Sequence, residues 1–188
     1  MTRAEPPISS HAYLTPANGM TVLRMLVTPV MLLLITDQQT AAVTCGLWLV
    51  LCSTDFIDGA LARRYGVTSS GAFLDPLADK ILVLGAMAVL VTQHYFWLLP
   101  VLIIAVREIG MSVYRSVAST RGVSIPARKS AKVKTFLQQL SVAFALMPWV
   151  GVDYPEVARF LLIVATILTV TTGLQYLRDA RADRKSVV

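Results

Sequence analysis

Six apolar runs, separated by short polar segments, constrain the fold of this chain more than any other feature. They are roughly Met20–Ile35, Ala41–Leu51, Ile81–Thr92, Phe96–Val106, Phe136–Val150 and Val157–Leu174. Hydrophobic residues make up 55% of the chain and charged residues only 15%, whereas soluble domains average about 25% charged residues. This apolar surplus is too large for one soluble core. We therefore predict an all-α polytopic membrane protein with six transmembrane helices.

Several of these runs are shorter than the ~20 residues that a helix needs to cross a bilayer. Polar residues follow the second and fourth runs and precede the third and fifth. We expect these helices to extend into polar halves facing a shared cavity, because charged groups are tolerated at membrane depth only in such protected places. The predicted domains are an N-terminal arm over 1–15, a six-helix transmembrane domain over 16–177 and a basic tail over 178–188.

The basic residues are concentrated in alternate polar segments, which lie on one side of the predicted bundle. Most lie in one set of segments, which holds Arg63, Arg64, Arg121, Arg128, Lys129, Lys132, Lys134, Arg178, Arg181, Arg184 and Lys185. Because short cytoplasmic loops are enriched in Lys and Arg, both termini and the polar halves are predicted to be cytoplasmic, in a cell (inner) membrane. The net charge of +6 also suggests nucleic-acid binding as an alternative function. These residues form no continuous stripe, so no nucleic-acid partner is expected.

The chain start and the cysteines have ordinary interpretations. Residues 1–19 lack the apolar core of a signal peptide, so the first run is expected to remain as a span that begins at Pro16 after the capping residue Thr15. The arm before it either lies along the membrane interface or is disordered.

Cys45 and Cys52 are interpreted as packing residues on one helix face rather than as a disulfide or metal site.

Four of the chain's eleven acidic residues lie between the second and third runs, namely Asp55, Asp58, Asp75 and Asp79. Their i, i+3 and i, i+4 spacings place each pair on one helix face. A turn is expected over the residues between Gly59 and Pro76, so that two antiparallel helices bring the carboxylates together. Two carboxylates ~5.5 Å apart repel by about 3 kcal/mol at an effective dielectric of ~20, which predicts bound cations.

Oxygen ligands without Cys or His favour Mg²⁺ or Mn²⁺. Two such ions per site suit phosphoryl transfer, because they polarise a diphosphate and activate an attacking hydroxyl. The alternative is that the aspartates are helix caps and solvated loop charges. This alternative is most credible for Asp75, which precedes Pro76. The small residues nearby, Gly59, Ala60, Ala62 and Gly71, also suit close helix packing in a membrane.

The stretch DFIDGALARRYGVTSSGAFLDPLADK resembles the signature of the CDP-alcohol phosphatidyltransferase family, D-x-x-D-G-x-x-A-R, a spacer, then G-x-x-x-D-x-x-x-D. The matching positions are Asp55, Asp58, Gly59, Ala62, Arg63, Gly71, Asp75 and Asp79. The spacer between Arg63 and Gly71 has seven residues where the usual pattern has eight. This difference affects the loop contacts and leaves the helical spacing of the aspartates unchanged.

The resemblance implies a six-helix, usually dimeric membrane enzyme that transfers a phosphatidyl group from CDP-diacylglycerol to an alcohol. It implies that Asp79 is the general base and that the metal ligands are Asp55, Asp58, Asp75 and Asp79. It further implies that the CDP-lipid contacts Asn18, Thr21, Gly59, Ala62, Arg63 and Ser69. Arg63 suits this role on chemical grounds too, because a guanidinium binds phosphate oxygens as a fork.

A second group of charged residues lies in the fourth and fifth helices. Arg107 and Glu108 are not expected to pair with each other, because adjacent helical residues point apart. An acceptor-phosphate pocket beside the metal site is predicted from Arg107, Arg115, Lys132 and Lys134, with Thr135 and Gln138 nearby. The alternative, positive-inside topology with lipid headgroup contact, is preferred for Arg121, Arg128 and Lys129.

The segment VREIGMSVYRSVASTRGVSIPARKSAKVKT resembles the corresponding region of phosphatidylglycerophosphate synthases, with Ala131 in place of a glycine in the AKVKT element. Their N-x-x-T-x-x-R pattern is matched by Asn18, Thr21 and Arg24. This resemblance implies sn-glycerol 3-phosphate as acceptor and release of CMP. Inositol phosphate, serine and phosphatidylglycerol remain alternative acceptors. A cation transporter with aspartate transport sites is a further alternative, which gives no role to Arg63.

Overall fold

The structure, a computed structural model, describes the backbone of residues 16–65, 69–120 and 129–185, and side chains within 19–54, 76–118 and 132–176 apart from residue 38. Over this part of the chain it contains α-helices, one 3-10 turn at Gln38–Thr40 and no strand. The predicted all-α class is confirmed. The α-helices are α1 (Pro16–Leu34), α2 (Ala41–Tyr65), α3 (Ser69–Thr92), α4 (Leu98–Thr120), α5 (Lys129–Leu146), α6 (Pro148–Asp153) and α7 (Pro155–Lys185).

The helices extend into their polar halves, as the sequence predicts. α2 continues past its apolar run to Tyr65, and α3 begins at Ser69, well before the third run. α4 likewise continues to Thr120, and α5 begins at Lys129. The first helix begins at Pro16, in agreement with a proline at the first helical position.

The long turn expected between Gly59 and Pro76 is wrong. Most of that segment is helical, because α2 ends only at Tyr65 and α3 starts at Ser69. Ala, Leu and Arg in this segment are strong helix formers, which offset the local cost of its glycines. Pro76 lies inside α3, so Asp75 is an interior helical residue. The interpretation of Asp75 as a helix cap is therefore also wrong.

The chain divides into two compact units between Val89 and Leu90. In the first unit, α1 packs antiparallel against α2. The two ends of this pair are joined by hydrogen bonds from Arg24 Nη2 to Thr54 Oγ1 (3.3 Å) and from Thr40 Oγ1 to the Leu34 carbonyl (2.8 Å). The face of α1 that is buried carries Thr21, Arg24, Thr28 and Met31, whose spacing is that of one helical face.

In α2 the buried residues of the same unit are Thr44, Cys45, Trp48 and Leu51. Cys45 is buried, Cys52 is partly exposed, and the two do not form a disulfide. The end of the α1–α2 pair near Thr54 buries the polar side chains of Thr21 and Arg24, and the opposite end buries Thr44 beside apolar residues. Polar groups are concentrated at the end of α2 that carries the acidic motif.

The second unit is built around α7, which packs against α4, α5 and α6. Pro148 ends the predicted fifth run early, since proline has no N–H and cannot continue the hydrogen bonds of α5. The residues that follow form the short helix α6. At the start of α7, Arg159 Nε donates to the Tyr95 carbonyl (2.9 Å), which ties this helix to the segment that precedes α4.

One stretch of the described helices is long and apolar enough to cross a bilayer. It covers Pro155–Tyr176 in α7, 22 residues with a mean hydropathy of 2.0. Shorter apolar helical stretches occupy Gly19–Leu34 and Ala41–Thr54. Large apolar side chains are exposed in both units, among them Leu26, Leu33, Leu99 and Phe160.

Candidate functional site

The acidic motif lies on two helices of the first unit. Positions 55 and 58 are one turn apart in α2, and positions 75 and 79 are one turn apart in α3. The side chains of several predicted site residues lie outside the described part of the chain: Asn18, Asp55, Asp58, Gly59, Ala62, Arg63, Ser69 and Asp75. Asp79 is described. It is partly buried, and its Oδ1 atom is shielded from solvent.

No group of three or more His, Cys, Asp or Glu residues is close enough to hold a metal ion among the side chains that the structure describes. Three of the four motif aspartates are outside that set. The convergence of the four carboxylates therefore stays a prediction, which the helical positions of the two pairs support.

Arg24 is buried beside the acidic end of α2. It is 1% exposed, and its Nη2 donates to the Oγ1 atom of Thr54, the residue that precedes Asp55. Thr28 Oγ1 donates to the Arg24 carbonyl (2.7 Å). Thr21, predicted as a CDP-lipid contact, is buried on the same face of α1. The sequence identified Arg24 only as part of a motif, although an arginine within an apolar run is itself a signal of a polar site.

A charged cluster lies in the second unit, where α4, α5 and α7 each contribute side chains. We call Arg107, Glu108, Arg115 and Lys134 the cation cluster. Glu108 Oε1 accepts hydrogen bonds from Lys134 Nζ and from Arg107 Nη1, the latter at 3.3 Å. The side chains are shielded, with exposed fractions of 2% for Lys134, 13% for Arg107 and 14% for Glu108.

The expectation that Arg107 and Glu108 do not pair is therefore wrong. Adjacent positions point apart at Cβ, but long Arg and Glu side chains can curve back toward each other. Lys134 approaches from α5 and contacts the same Glu108 oxygen as Arg107 does. The prediction considered α4 alone and so omitted the partner on the next helix.

Polar side chains of α7 complete the cluster. Arg107 Nη2 donates to Thr172 Oγ1 (3.3 Å), and Arg115 Nη2 donates to the Tyr176 hydroxyl (3.1 Å). The Arg115 guanidinium also lies 5.6 Å from the centre of the Tyr176 ring. About one turn before Thr172 on α7, Thr169 Oγ1 accepts a hydrogen bond from Gln138 Nε2 (3.2 Å). Sequence reasoning missed these α7 residues, although Thr169, Thr172 and Tyr176 recur at the spacing of one helical face.

The cluster has the charge and the donors of an anion site. Three cations and one carboxylate leave two net positive charges. The Nε atoms of Arg107 and Arg115 are buried and donate no hydrogen bond within the described part of the chain. A buried N–H without an acceptor is costly, so each of these two groups favours an added acceptor such as an anion oxygen. Lys132 is exposed and, two residues from Lys134, lies on the other side of α5.

A family model described as CDP-alcohol phosphatidyltransferase matches residues 14–171. The chain belongs to the CDP-alcohol phosphatidyltransferase family. The match includes the motif aspartates and the α4 and α5 members of the cation cluster. It ends just before Thr172, so the α7 side chains that contact the two arginines lie beyond the family-matched residues.

Curated relatives have consistent names. A "Probable phosphatidylglycerophosphate synthase" of Mycobacterium tuberculosis is 38% identical over 174 residues, covering 89% of this chain and 82% of the relative. A "CDP-diacylglycerol--glycerol-3-phosphate 3-phosphatidyltransferase" of Rickettsia typhi is 36% identical over 170 residues, 87% of this chain and 96% of the relative. A protein with that same name from Escherichia coli K12 is 44% identical over 144 residues, 73% of this chain and 78% of the relative.

Proposed function

We propose that this chain transfers the phosphatidyl group of CDP-diacylglycerol to sn-glycerol 3-phosphate, giving phosphatidylglycerophosphate and CMP for phospholipid biosynthesis. The observation that carries the proposal is the cation cluster, whose net charge and two buried Nε–H groups suit an anionic acceptor. The names of the relatives from three bacteria, which specify this product or this reaction, support the same acceptor.

The phosphate of the acceptor is the group that the cluster would bind. A phosphate monoester carries about −1.5 to −2 charges near neutral pH, which matches the two net positive charges of the cluster. Guanidinium groups bind such oxygens as a planar fork. Serine offers Arg107 and Arg115 only a singly charged carboxylate, which matches the two net positive charges of the cluster less well than a phosphate monoester does.

The donor and the metal ions are assigned to the acidic motif. The ligands would be carboxylate oxygens only, from pairs placed one helical turn apart, and the shielded Oδ1 of Asp79 suits a bound cation. Two Mg²⁺ or Mn²⁺ ions held by Asp55, Asp58, Asp75 and Asp79 would neutralise and polarise the diphosphate. The diphosphate would also contact Arg63, with Asn18, Thr21, Gly59, Ala62 and Ser69 lining the nucleotide.

Asp79 is assigned as the general base. The acceptor hydroxyl oxygen forms a bond to the phosphorus that bears diacylglycerol, and the anhydride bond to the CMP phosphate breaks. CMP leaves with the electron pair, and the hydroxyl proton moves to the Asp79 carboxylate. Asp79 is suited to this role because it lies one turn further into α3 than Asp75 and is partly buried.

We further propose that six helices cross the cell membrane, with the active site and both termini cytoplasmic, and that the protein is a homodimer. The exposed apolar side chains and the 22-residue apolar stretch of α7 support contact with membrane lipids. The positions of Lys and Arg in alternate segments support the orientation. The dimer rests on the family resemblance.

The test is CMP release by the purified protein from CDP-diacylglycerol in mixed micelles, across a panel of acceptors. We expect efficient turnover with glycerol 3-phosphate and formation of phosphatidylglycerophosphate. Preferred turnover with inositol phosphate, serine or phosphatidylglycerol would overturn the acceptor assignment. If no acceptor released CMP and liposomes containing the protein carried a cation flux, the transferase reaction itself would be refuted.

A further inference from the structure

One carboxylate pairs with two of the three cations that we assign to the acceptor phosphate. Glu108 Oε1 accepts hydrogen bonds from Lys134 Nζ and Arg107 Nη1. By Coulomb's law this carboxylate repels an incoming phosphate, so its charge alone weakens the binding that the site is built for. Its presence in the cluster therefore requires another explanation.

Lys134 supplies the first part of that explanation. Its side chain is only 2% exposed, and a buried ammonium group is unfavourable unless an opposite charge compensates it. Its four-carbon stem is flexible and does not by itself fix the position of Nζ. Glu108 compensates the charge from a different helix and fixes the Nζ atom between α4 and α5.

Arg107 supplies the second part. Its Nη1 contacts Glu108 on α4, and its Nη2 donates to Thr172 on α7. Two contacts from different helices fix the plane of the guanidinium. The buried Nε–H donates to no residue in the described part of the chain and is left for another acceptor. Glu108 thus contacts two cations at once and orients both.

We propose that Glu108 is a positioning residue for the acceptor phosphate, holding Lys134 and Arg107 in the arrangement that binds a phosphate monoester without contacting the phosphate itself. This inference rests on the proposed function of the cation cluster. It predicts the sign of one effect. Removing the Glu108 charge weakens acceptor binding if positioning dominates, and strengthens it if repulsion dominates.

The experiment is a steady-state comparison of Glu108→Gln with the wild type, varying glycerol 3-phosphate and CDP-diacylglycerol separately. We expect the KM for glycerol 3-phosphate to rise about tenfold or more. This is the effect expected when the phosphate loses one hydrogen bond from a cation that Glu108 no longer holds in position. kcat and the KM for CDP-diacylglycerol should change little. An acceptor KM that falls or stays unchanged would overturn the positioning role.

The matched control is Glu156→Gln. Glu156 is also paired with an arginine, with 2.7 Å between its Oε1 and Arg159 Nη1, but it is 74% exposed and lies outside the cation cluster. This variant should keep the wild-type KM for both substrates. If Glu156→Gln raised the KM for glycerol 3-phosphate as much as Glu108→Gln does, then loss of either glutamate–arginine pair would weaken acceptor binding. That result would overturn the specific role of Glu108.

Lys134→Met separates this inference from the proposed function. A rise in acceptor KM for Lys134→Met supports the acceptor site, whereas an unchanged KM would refute that site whatever Glu108 does. In the Lys134→Met background, Glu108→Gln should raise the KM by a smaller factor, because one of the two cations it holds is gone. Equal factors in both backgrounds would contradict positioning through Lys134.

Glu108→Asp keeps the inference testable if Glu108→Gln does not fold. Aspartate retains the charge that Lys134 requires but is one methylene shorter, so it cannot reach both cations as glutamate does. The acceptor KM of Glu108→Asp should lie above that of the wild type, with kcat preserved. A wild-type acceptor KM in this variant would show that the position of the carboxylate is unimportant.

Discussion

Replacing Arg107 with methionine removes one guanidinium from the cation cluster and keeps an unbranched side chain in α4. The fold should tolerate the change, because Glu108 retains its ion pair with Lys134. The direct structural loss is the hydrogen bond to Thr172 and the contact with Glu108. The remaining effect should fall on binding of the acceptor phosphate.

The magnitude follows from the hydrogen bonds that Arg107 would make. Its Nε–H is buried and donates to no described residue, so we expect at least one hydrogen bond from it to the phosphate. A hydrogen bond to a charged group contributes about 1.5–3 kcal/mol, which corresponds to roughly a 10- to 150-fold rise in KM. kcat and the KM for CDP-diacylglycerol should change much less, because Arg107 belongs to the acceptor site.

The assay is the initial rate of CMP release in mixed micelles, with each substrate varied at saturating concentrations of the other. Arg159→Met is the control, since Arg159 binds the Tyr95 carbonyl and Glu156 away from the cluster. It should lower the melting temperature and leave the acceptor KM unchanged. If Arg107→Met raised only the KM for CDP-diacylglycerol, the acceptor site would be wrongly assigned.

Three further predictions concern the same reaction. Arg115→Ala should raise the KM for glycerol 3-phosphate without a matching change for CDP-diacylglycerol, and an effect on the CDP-lipid alone would contradict this. Asp79→Asn should keep CDP-lipid affinity and lose about 10²–10⁴-fold in single-turnover rate; weak binding with a normal rate at saturation would refute the general base. Chelation with EDTA should abolish activity and Mg²⁺ or Mn²⁺ should restore it, so full turnover after verified metal removal would exclude the proposed metal site.

The helical architecture was predictable from the sequence because its signals are local. The apolar runs located the helices, and the demand for bilayer-length spans predicted their polar extensions. Pro16 marked the start of α1, in agreement with the structure. Pro148 was present in the sequence too, but its effect in ending α5 was overlooked within an otherwise apolar run.

The cation cluster was predictable only in part, because its contacts join distant positions. Arg107, Arg115 and Lys134 were identified since charges within apolar helices are expensive and usually functional. The roles of Glu108, Thr172 and Tyr176 depend on contacts among α4, α5 and α7, up to 65 residues apart in sequence. No local pattern shows that Lys134 meets Glu108, and the ion pair between Arg107 and Glu108 contradicts the expectation drawn from their adjacent positions.

The central claim is that the acceptor is recognised through its phosphate. The most direct test is the ratio of kcat/KM for glycerol 3-phosphate to that for glycerol, measured by CMP release from CDP-diacylglycerol. A site built to bind a polar group rejects an analogue lacking it by about 10⁴–10⁵-fold, and we expect a ratio of at least that order, reduced in Lys134→Met. Comparable kcat/KM values for the two acceptors would contradict phosphate recognition by the cation cluster.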